Sequence, residues 1–268
     1  MRIVYLLFLT LLILPFSSTA CSVLYYVDSL SGKVYVVNNE DYFYDVKPYI
    51  QIEPAKRSDL ARLWYGWDDF AQGGINEAGF FFDGAVVPKE GEVEGYEPAK
   101  YNLGDRLLAR CKTVDEALAY LEEEKIAYPD SHLMFGDSSG NAVVVEWING
   151  EQHLIRIMDD YLMMTNFNLA KPTHCPRYEA MQAEIDRLEE NGTSIDLRTI
   201  GNIGAKAVQL AATDEQGREG GTLYSSFINI TDLEFVLVYK YDNNRRVQLD
   251  LNQEFARGKK KKLWLEKL

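Results

Sequence analysis

The residue of this chain best suited to covalent chemistry is a cysteine that directly follows a leader-like segment. A basic start at Arg2 precedes an apolar run over residues 3–16, and Ser18-Thr19-Ala20 ends the segment with small residues. A basic start, an apolar core and a small-residue exit are typical of a secretory signal peptide. Cleavage after residue 20 would make Cys21 the new N-terminus.

An N-terminal cysteine carries its own base. The nucleophile is the thiolate rather than the thiol, and a free α-amino group titrates at about 7.7–8.0, close to working pH. A peptide nitrogen has no such basicity. Removing residues 1–20, by a signal peptidase or by autocatalysis, therefore places nucleophile and base in one residue, as in enzymes whose nucleophilic threonine uses an N-terminal amine. We predict a catalytic Cys21.

Two other roles for this cysteine stay open at the level of the residues. A lipid-anchored cysteine usually has Leu three positions earlier, where this chain has Ser18, so that match is poor. A disulfide in an oxidising compartment is the second role. Cys111 and Cys175 are the available partners, and one cysteine stays unpaired whichever bridge forms. Either role would make the protein a secreted or lipid-anchored binding protein without catalysis.

Charge and length limit the classes of partner. The 268 residues carry 28 Lys and Arg against 41 Asp and Glu, a net charge of −13 that becomes −14 when Arg2 leaves with the leader. So acidic a chain argues against nucleic acid or anionic membranes as partners. No second apolar run approaches the ~20 residues that span a bilayer. We expect residues 21–268 to form one secreted or periplasmic domain without stable membrane insertion, and the lysine run 259–262 to lie on a solvated terminal helix face or tail.

The first elements after the leader are predicted to form a hairpin that returns polar groups to the cysteine. Apolar and aromatic residues predict strands over 21–27 and 33–37, joined by turn residues. A polar strand end follows, Asn38-Asn39-Glu40-Asp41. We expect Asp41 to orient the protonated amine and one of the asparagines to hydrogen-bond to it. A solvent-facing strand end without function is the alternative.

The rest of the chain predicts short strands and amphipathic helices without regular alternation. Predicted strands cover residues 49–53, 63–67, 80–86, 133–135, 142–147, 152–158, 162–165, 222–230, 235–241 and 246–251. Predicted helices cover residues 106–111, 113–125, 177–190 and 197–212. The glycine-containing segment 72–79 is expected to form a turn. This order favours an α+β fold with antiparallel sheets.

Aromatic side chains on two of these strands could line an acyl pocket. Trp64, Trp67 and Phe82 are the candidate substrate-binding residues, with packing in a core as the alternative for each ring. Phe80 and Phe82 share one face of their strand and Phe81 takes the other, which predicts a strand buried on both sides.

Metal and cofactor chemistry find no support in the sequence. His132, His153 and His174 lie far apart and lack the spacing of metal ligands. Neither common glycine motif for cradling phosphate occurs. We therefore expect no cofactor and no metal.

Short motifs follow one another over nearly the whole chain. They are, in order, Cys21 after a leader, Asn38-Asn39-Glu40-Asp41, Gly74-Ile75-Asn76-Glu77-Ala78-Gly79, Asp137-Ser138-Ser139-Gly140-Asn141 with Glu146, Thr165-Asn166, and Cys175-Pro176-Arg177-Tyr178. In this order and spacing they resemble the choloylglycine hydrolase and penicillin V acylase family of linear-amide C–N hydrolases. Because this family belongs to the N-terminal nucleophile hydrolases, the resemblance implies a four-layer αββα sandwich, two antiparallel sheets packed face to face with helices outside.

The resemblance also implies a role for each matching residue. Cys21 would be the nucleophile and its amine the base, with Asp41 contacting the N-terminus. Asn166 would donate a side-chain hydrogen bond to the oxyanion, and the backbone N–H near Val86 would be the second donor. The substrate would be a small N-acyl amide cleaved through a thioester. Transfer of the acyl group to an amine through the same acyl-enzyme is the alternative reaction.

Two departures separate the chain from the best-known members of that family. The family usually has arginine where Asn38 stands, and a second arginine expected near residues 222–225 is missing, with Arg218 nearby in sequence but not clearly equivalent. A neutral residue at position 38 favours a thiolate less. The resemblance therefore implies a branch with a substrate other than conjugated bile salts or penicillin V. Association into a homo-oligomer is left open by the sequence.

Overall fold

Two antiparallel sheets lie face to face in the computed structural model, which describes residues 21–268. The predicted signal peptide, residues 1–20, lies outside the described residues. No helix within residues 21–268 is long and apolar enough to cross a membrane.

Strands and helices alternate irregularly along the chain, as the sequence predicts. In order they are β1 (Ser22–Asp28), β2 (Lys33–Phe43), β3 (Tyr49–Glu53), β4 (Arg62–Trp67), β5 (Phe70–Asn76), β6 (Phe81–Val86), α1 (Leu103–Arg110), α2 (Val114–Glu123), β7 (Ser131–Gly136), β8 (Ala142–Ile148), β9 (Glu151–Arg156), β10 (Tyr161–Met164), α3 (Pro176–Glu190), α4 (Leu197–Gly204), β11 (Ala212–Thr213), β12 (Glu219–Asn229), β13 (Glu234–Tyr239), β14 (Arg246–Asp250), α5 (Leu251–Ala256) and β15 (Lys261–Trp264). The first sheet has the order β10-β1-β2-β12-β13-β14, with β11 on β12, and the second has the order β15-β3-β4-β5-β6-β7-β8-β9.

A hydrophobic core lies between each pair of neighbouring layers. The first, between the sheets, includes Tyr25 and Phe81. The second lies between the second sheet and helices α1 and α2 and includes Phe80 and Phe82. The third lies between the first sheet and helices α3 and α4 and includes Leu24. The layers therefore run helix, sheet, sheet, helix, which confirms the predicted sandwich. Strand β6 is buried on both faces, as predicted, although it begins at Phe81 and Phe80 directly precedes it.

The predicted hairpin forms and sets the register around the cysteine. Ser22 pairs with Asn39 across β1 and β2, and β2 is itself covered on its other edge by β12. Side chains alternate along a strand, so Asn38 and Glu40 lie on one face of β2, and Asn39 lies on the other. Cys21, which directly precedes β1, belongs to the core between the sheets.

The segment predicted as a glycine turn is a strand over residues 72–76, which belong to β5, and the turn is confined to residues 77–79 before β6. A Cβ atom at Gly73 would meet the side chains of Asp83 and Tyr65, and one at Gly74 would meet the backbone of β4. Gly73 and Gly74 therefore allow close approach between neighbouring strands and side chains, whereas Gly79, with a φ of 79°, belongs to the chain reversal.

Two further predictions, both in the C-terminal half of the chain, differ from the structure. The helix predicted over residues 197–212 ends at Gly204, and a 3₁₀ turn over Ala205–Ala207 follows before the chain leaves to pair β11 with β12. The lysine run is neither a helix face nor a tail, because Lys261 and Lys262 belong to β15, which pairs with β3. Leu263 of the same strand packs against the core between the sheets, which anchors the strand.

Candidate active site

The thiol of Cys21 lies at the wall of a small cavity. Cys21 is 6% exposed, and its Sγ donates a hydrogen bond to Oε1 of Glu40 at 3.3 Å. The cavity, of about 100 Å³, is lined by both residues and by side chains of the second sheet that include Phe82 and Leu133. The hairpin register produces this contact, because Glu40 is the next residue on β2 after the partner of Ser22.

Asp41 is a fully buried carboxylate next to the cysteine backbone. Its Oδ2 accepts a hydrogen bond from Nη1 of Arg177 at 3.0 Å, and its Oδ1 accepts one from the hydroxyl of Thr222. Burial raises the pKa of Asp41 to about 8, although the arginine and the hydroxyl both act to lower it. The structure therefore places the predicted Asp41 beside Cys21, held from two directions.

Arg177 connects three of the residues of this site. Besides Asp41, it donates to the carbonyl oxygen of Cys21 at 3.4 Å and to Oδ1 of Asn166 at 3.0 Å. The residue lies in the first turn of α3, which begins at Pro176, a residue favoured at that helical position. The guanidinium of Arg177 thus supplies a positive charge to the site, although position 38 is an uncharged asparagine.

Asn166 and Val86, the two predicted oxyanion donors, are in direct contact. Nδ2 of Asn166 donates to the carbonyl oxygen of Val86 at 2.7 Å, and Arg177 fixes the other end of the amide. An amide nitrogen has two N–H groups, so one remains available for a substrate oxygen. Val86 ends β6 at the rim of the cavity, with 52% of its surface exposed.

Asn38 lies behind the cysteine in a buried polar cluster. This cluster comprises Asn38, Glu40, Tyr65, Asp83, Tyr224 and Ser226. Tyr65 donates to Oδ2 of Asp83 at 2.9 Å, whereas the Asn38 amide makes no hydrogen bond of ordinary geometry among the described residues. Asn38 therefore belongs to the site, but as a neighbour of Glu40 and Asp83, and no described hydrogen bond joins it to the cysteine.

Burial dominates the electrostatics of this cluster. It raises the pKa of Glu40 to about 7 and that of Asp83 well above its usual range. The pKa of the Cys21 thiol is raised by burial first and then by the charges of Glu40 and Asp41. Several buried carboxyl groups so close together cannot all ionise near neutral pH, so protons are shared among them.

Of the three aromatic residues predicted to bind substrate, Phe82 alone lines the cavity at Cys21. Trp64 packs in the core beneath α1, with its ring centroid 5.3 Å from that of Tyr49. Trp67 packs between the sheets, 4.6 Å from the ring of Tyr42. Trp64 lies on the face of β4 that is turned toward the helices. Trp67 lies on the opposite face, at the end of the strand and away from the cavity.

Glu40 and Arg177 are the site residues that sequence reasoning left without a role. Both stand inside the family-like motifs quoted above, and period-two alternation from Asn38 places Glu40 on the inner face. Arg218, the arginine weighed from its sequence position, instead pairs with Asp45 and lies over the ring of Phe43. All three cysteines are free thiols, so no bridge occupies Cys21.

Comparison with known proteins assigns the chain to a family. Residues 30–240 match the family described as acyl-coenzyme A:6-aminopenicillanic acid acyl-transferase. The chain belongs to this family. The match confirms the resemblance seen in the sequence and, at the level of the family, the prediction of an amidohydrolase-type enzyme. A comparison with curated proteins found no significant match.

Solved structures at low sequence identity share the fold of this family member. A point mutant of conjugated bile acid hydrolase from Clostridium perfringens has 17% identity and a TM-score of 0.70, with 90% of this chain and 96% of that chain covered. Penicillin V acylase from Agrobacterium tumefaciens has 14% identity and a TM-score of 0.62, with 87% of each chain covered. These likenesses confirm the predicted fold class, an α+β sandwich of two antiparallel sheets with helices.

Proposed function

We propose that residues 21–268 hydrolyse the linear C–N bond of a small N-acyl amide, with Cys21 as nucleophile, after residues 1–20 are removed during export to the periplasm or outside the cell. The observation that carries the proposal is the convergence of Asp41, Asn166 and the backbone of Cys21 on one guanidinium, that of Arg177, beside a thiol that opens on a cavity. Such a convergence fixes a nucleophile, an orienting carboxylate and an amide donor relative to one another.

The reaction begins with transfer of the thiol proton to a base, for which the free α-amine of Cys21 is the expected group. The sulfur attacks the substrate carbonyl carbon, and the developing oxyanion accepts hydrogen bonds from the Asn166 amide and the Val86 backbone N–H. Collapse of the tetrahedral intermediate breaks the C–N bond while the α-ammonium protonates the departing amine. A water molecule, deprotonated by the amine, then attacks the thioester and releases the acid.

The cavity supports a slender apolar acyl group. At about 100 Å³ it is smaller than the 300–1,000 Å³ of pockets that enclose drug-sized ligands, and Phe82, Ala85 and Leu133 contribute apolar surface to it. The amine side of the substrate would then project past the exposed Val86.

Acyl transfer is the second candidate reaction, because the matching family is described as an acyl-transferase. The same thioester would pass its acyl group to an amine instead of water. Product analysis with and without an added amine acceptor measures the partition between the two reactions.

The test of the proposal starts from the mature protein. N-terminal sequencing and intact mass should show a free, unlipidated Cys21, and C21A should abolish turnover of acyl anilides. C111A, at a buried cysteine of a different core, is the matched control and should retain turnover. A blocked or lipidated Cys21, or turnover that survives in C21A, would refute the proposed chemistry.

A further inference from the structure

Glu40 is the one carboxyl group with a described hydrogen bond to the proposed nucleophile. Its Oε1 accepts from Sγ of Cys21 at 3.3 Å, and the residue lines the cavity while only 3% of it is exposed. Its second oxygen, Oε2, is buried and makes no hydrogen bond of ordinary geometry among residues 21–268. The carboxyl group is thus directed at the sulfur and is otherwise held loosely.

The groups around Glu40 come from every strand packed against it. From its own strand they are Asn38 and Asp41, and from β12 it meets Tyr224. Across the space between the sheets lies Asp83 of β6, which is itself bonded to Tyr65 of β4. The salt bridges of the described residues include none to Glu40, and the nearby guanidinium of Arg177 is engaged by Asp41.

This environment gives Glu40 an affinity for protons that an exposed carboxylate lacks. Burial raises its pKa to about 7, and the hydrogen bond from Cys21 acts in the opposite direction. A free α-amine, by comparison, titrates at about 7.7–8.0 and is mostly protonated at neutral pH. A protonated amine cannot accept the thiol proton, whereas an ionised Glu40 can.

We propose that Glu40 is a second catalytic base, which takes the proton of the Cys21 thiol and leaves the α-ammonium free to protonate the departing amine. This assignment rests on the proposed function and refines its first step. The S–H bond breaks and an O–H bond forms on Oε1 as the sulfur lone pair forms the C–S bond. When the thioester is hydrolysed, the departing sulfur recovers that proton from Glu40. The α-amine, neutral after its donation, takes the proton of the attacking water.

A purely electrostatic role for Glu40 predicts the opposite change in the acylation rate when Glu40 is removed. If Glu40 acted only as a charge, it would repel the thiolate, and its removal would speed the attack by sulfur. If Glu40 is the base, its removal slows the attack wherever the amine is protonated. The isosteric change E40Q removes the charge and the basicity together, so the direction of the effect decides between these roles.

The probe is the burst of p-nitrophenol from p-nitrophenyl acetate, since this leaving group needs no protonation. For the mature wild-type protein, we expect the acylation rate to rise with pH, with the midpoint of this rising limb of the pH–rate profile at about 7. In E40Q we expect this limb to move by roughly one pH unit to the range of the α-amine. The rate near pH 6.5 should then fall roughly four- to eightfold, because the basic fraction at that pH decreases by this factor when the pKa of the base rises from about 7 to about 7.7–8.0. Faster acylation by E40Q across this range would overturn the proposal.

D83N is the matched control, because Asp83 shares the buried cluster but has no described contact with the sulfur. Burial raises the pKa of Asp83 well above its usual range, which favours the neutral form that asparagine imitates. D83N should therefore leave the limb within about half a pH unit of wild type. A shift in D83N as large as that in E40Q would show that the limb reports the whole cluster and would overturn the assignment to Glu40.

The remaining outcomes separate the two proposals. A wild-type protein without a burst that depends on Cys21 would refute the proposed function and this inference together. A Cys21-dependent burst whose limb already lies at about 7.7–8.0 would refute the role of Glu40 alone. That wild-type measurement also decides the case should E40Q fail to fold, which thermal melting would reveal.

Discussion

Nη1 of Arg177 lies 3.0 Å from Oδ2 of Asp41, although 136 positions separate the two residues in the sequence. The carboxylate is fully buried, while the arginine side chain is 23% exposed. The ion pair therefore ties the first turn of α3 to the end of β2, and through the carbonyl of Cys21 it also holds the start of β1.

Removing this guanidinium should destabilise the protein as well as inactivate it. R177A leaves the buried carboxyl group of Asp41 without its positively charged partner, and removal of one partner of a buried pair costs about 3 kcal/mol. Urea unfolding should show this loss. R218A, which removes the exposed pair with Asp45, should cost less than about 1 kcal/mol. Equal losses in the two variants would contradict the bridging role of Arg177.

Asn166 should affect catalysis far more than stability. N166A removes the side-chain donor proposed for the oxyanion, and the loss of one such donor typically lowers kcat by ~10²–10³. Steady-state kinetics with an acyl anilide would measure the change in kcat, with KM nearly constant. N191A, at an exposed asparagine that ends α3, is the control. A change confined to KM would instead place Asn166 in ground-state binding.

The buried Glu40 should make the stability depend on pH with a defined sign. Its pKa is about 7 in the folded protein and 4.5 in the ordinary reference state, so between these values the folded state binds more protons than the unfolded state. The contribution of Glu40 to the free energy of unfolding should therefore fall as pH rises from about 4.5 to 7 and change no further above. Urea titrations at several pH values should show a slope in E40Q that is shallower by up to about 1.4 kcal/mol per pH unit. An unchanged slope would mean that the proton affinity of Glu40 is ordinary.

The precursor with residues 1–20 attached should not hydrolyse amides. The nitrogen of residue 21 is then a peptide nitrogen, which can neither protonate the departing amine nor activate water. A preparation that retains the leader, compared with the same protein after cleavage at residue 20, would measure this difference with an acyl anilide. Full amide turnover by the uncleaved chain would rule out the α-amine as an acid–base group.

Local signals in the sequence account for the parts of the fold that were predicted correctly. The turn residues between β1 and β2 fix the hairpin, and strand alternation fixes the two-sided burial of Phe80, Phe81 and Phe82. Strand β5 was not predicted because Gly73 and Gly74 are required by close contacts with residues of other strands, which a local sequence pattern does not reveal.

The site was predicted in the same uneven way. Cys21 and Asp41 are near in sequence, and the hairpin alone brings them together. The role of Arg177 depends on how α3 packs across the first sheet, which no short motif specifies. The cavity at Cys21 likewise depends on the approach of the second sheet, so the aromatic residues that line it could not be chosen from their type alone.

The lysine-bearing strand β15 has a consequence for self-association. It closes one edge of the second sheet with four residues, and Lys261 and Lys262 lie on it. A bare sheet edge offers unpaired N–H and C=O groups on which another chain can continue the sheet, and short charged edges oppose that growth. Two copies meeting edge to edge at β15 would also bring their lysines together, which would oppose growth of the second sheet through this edge.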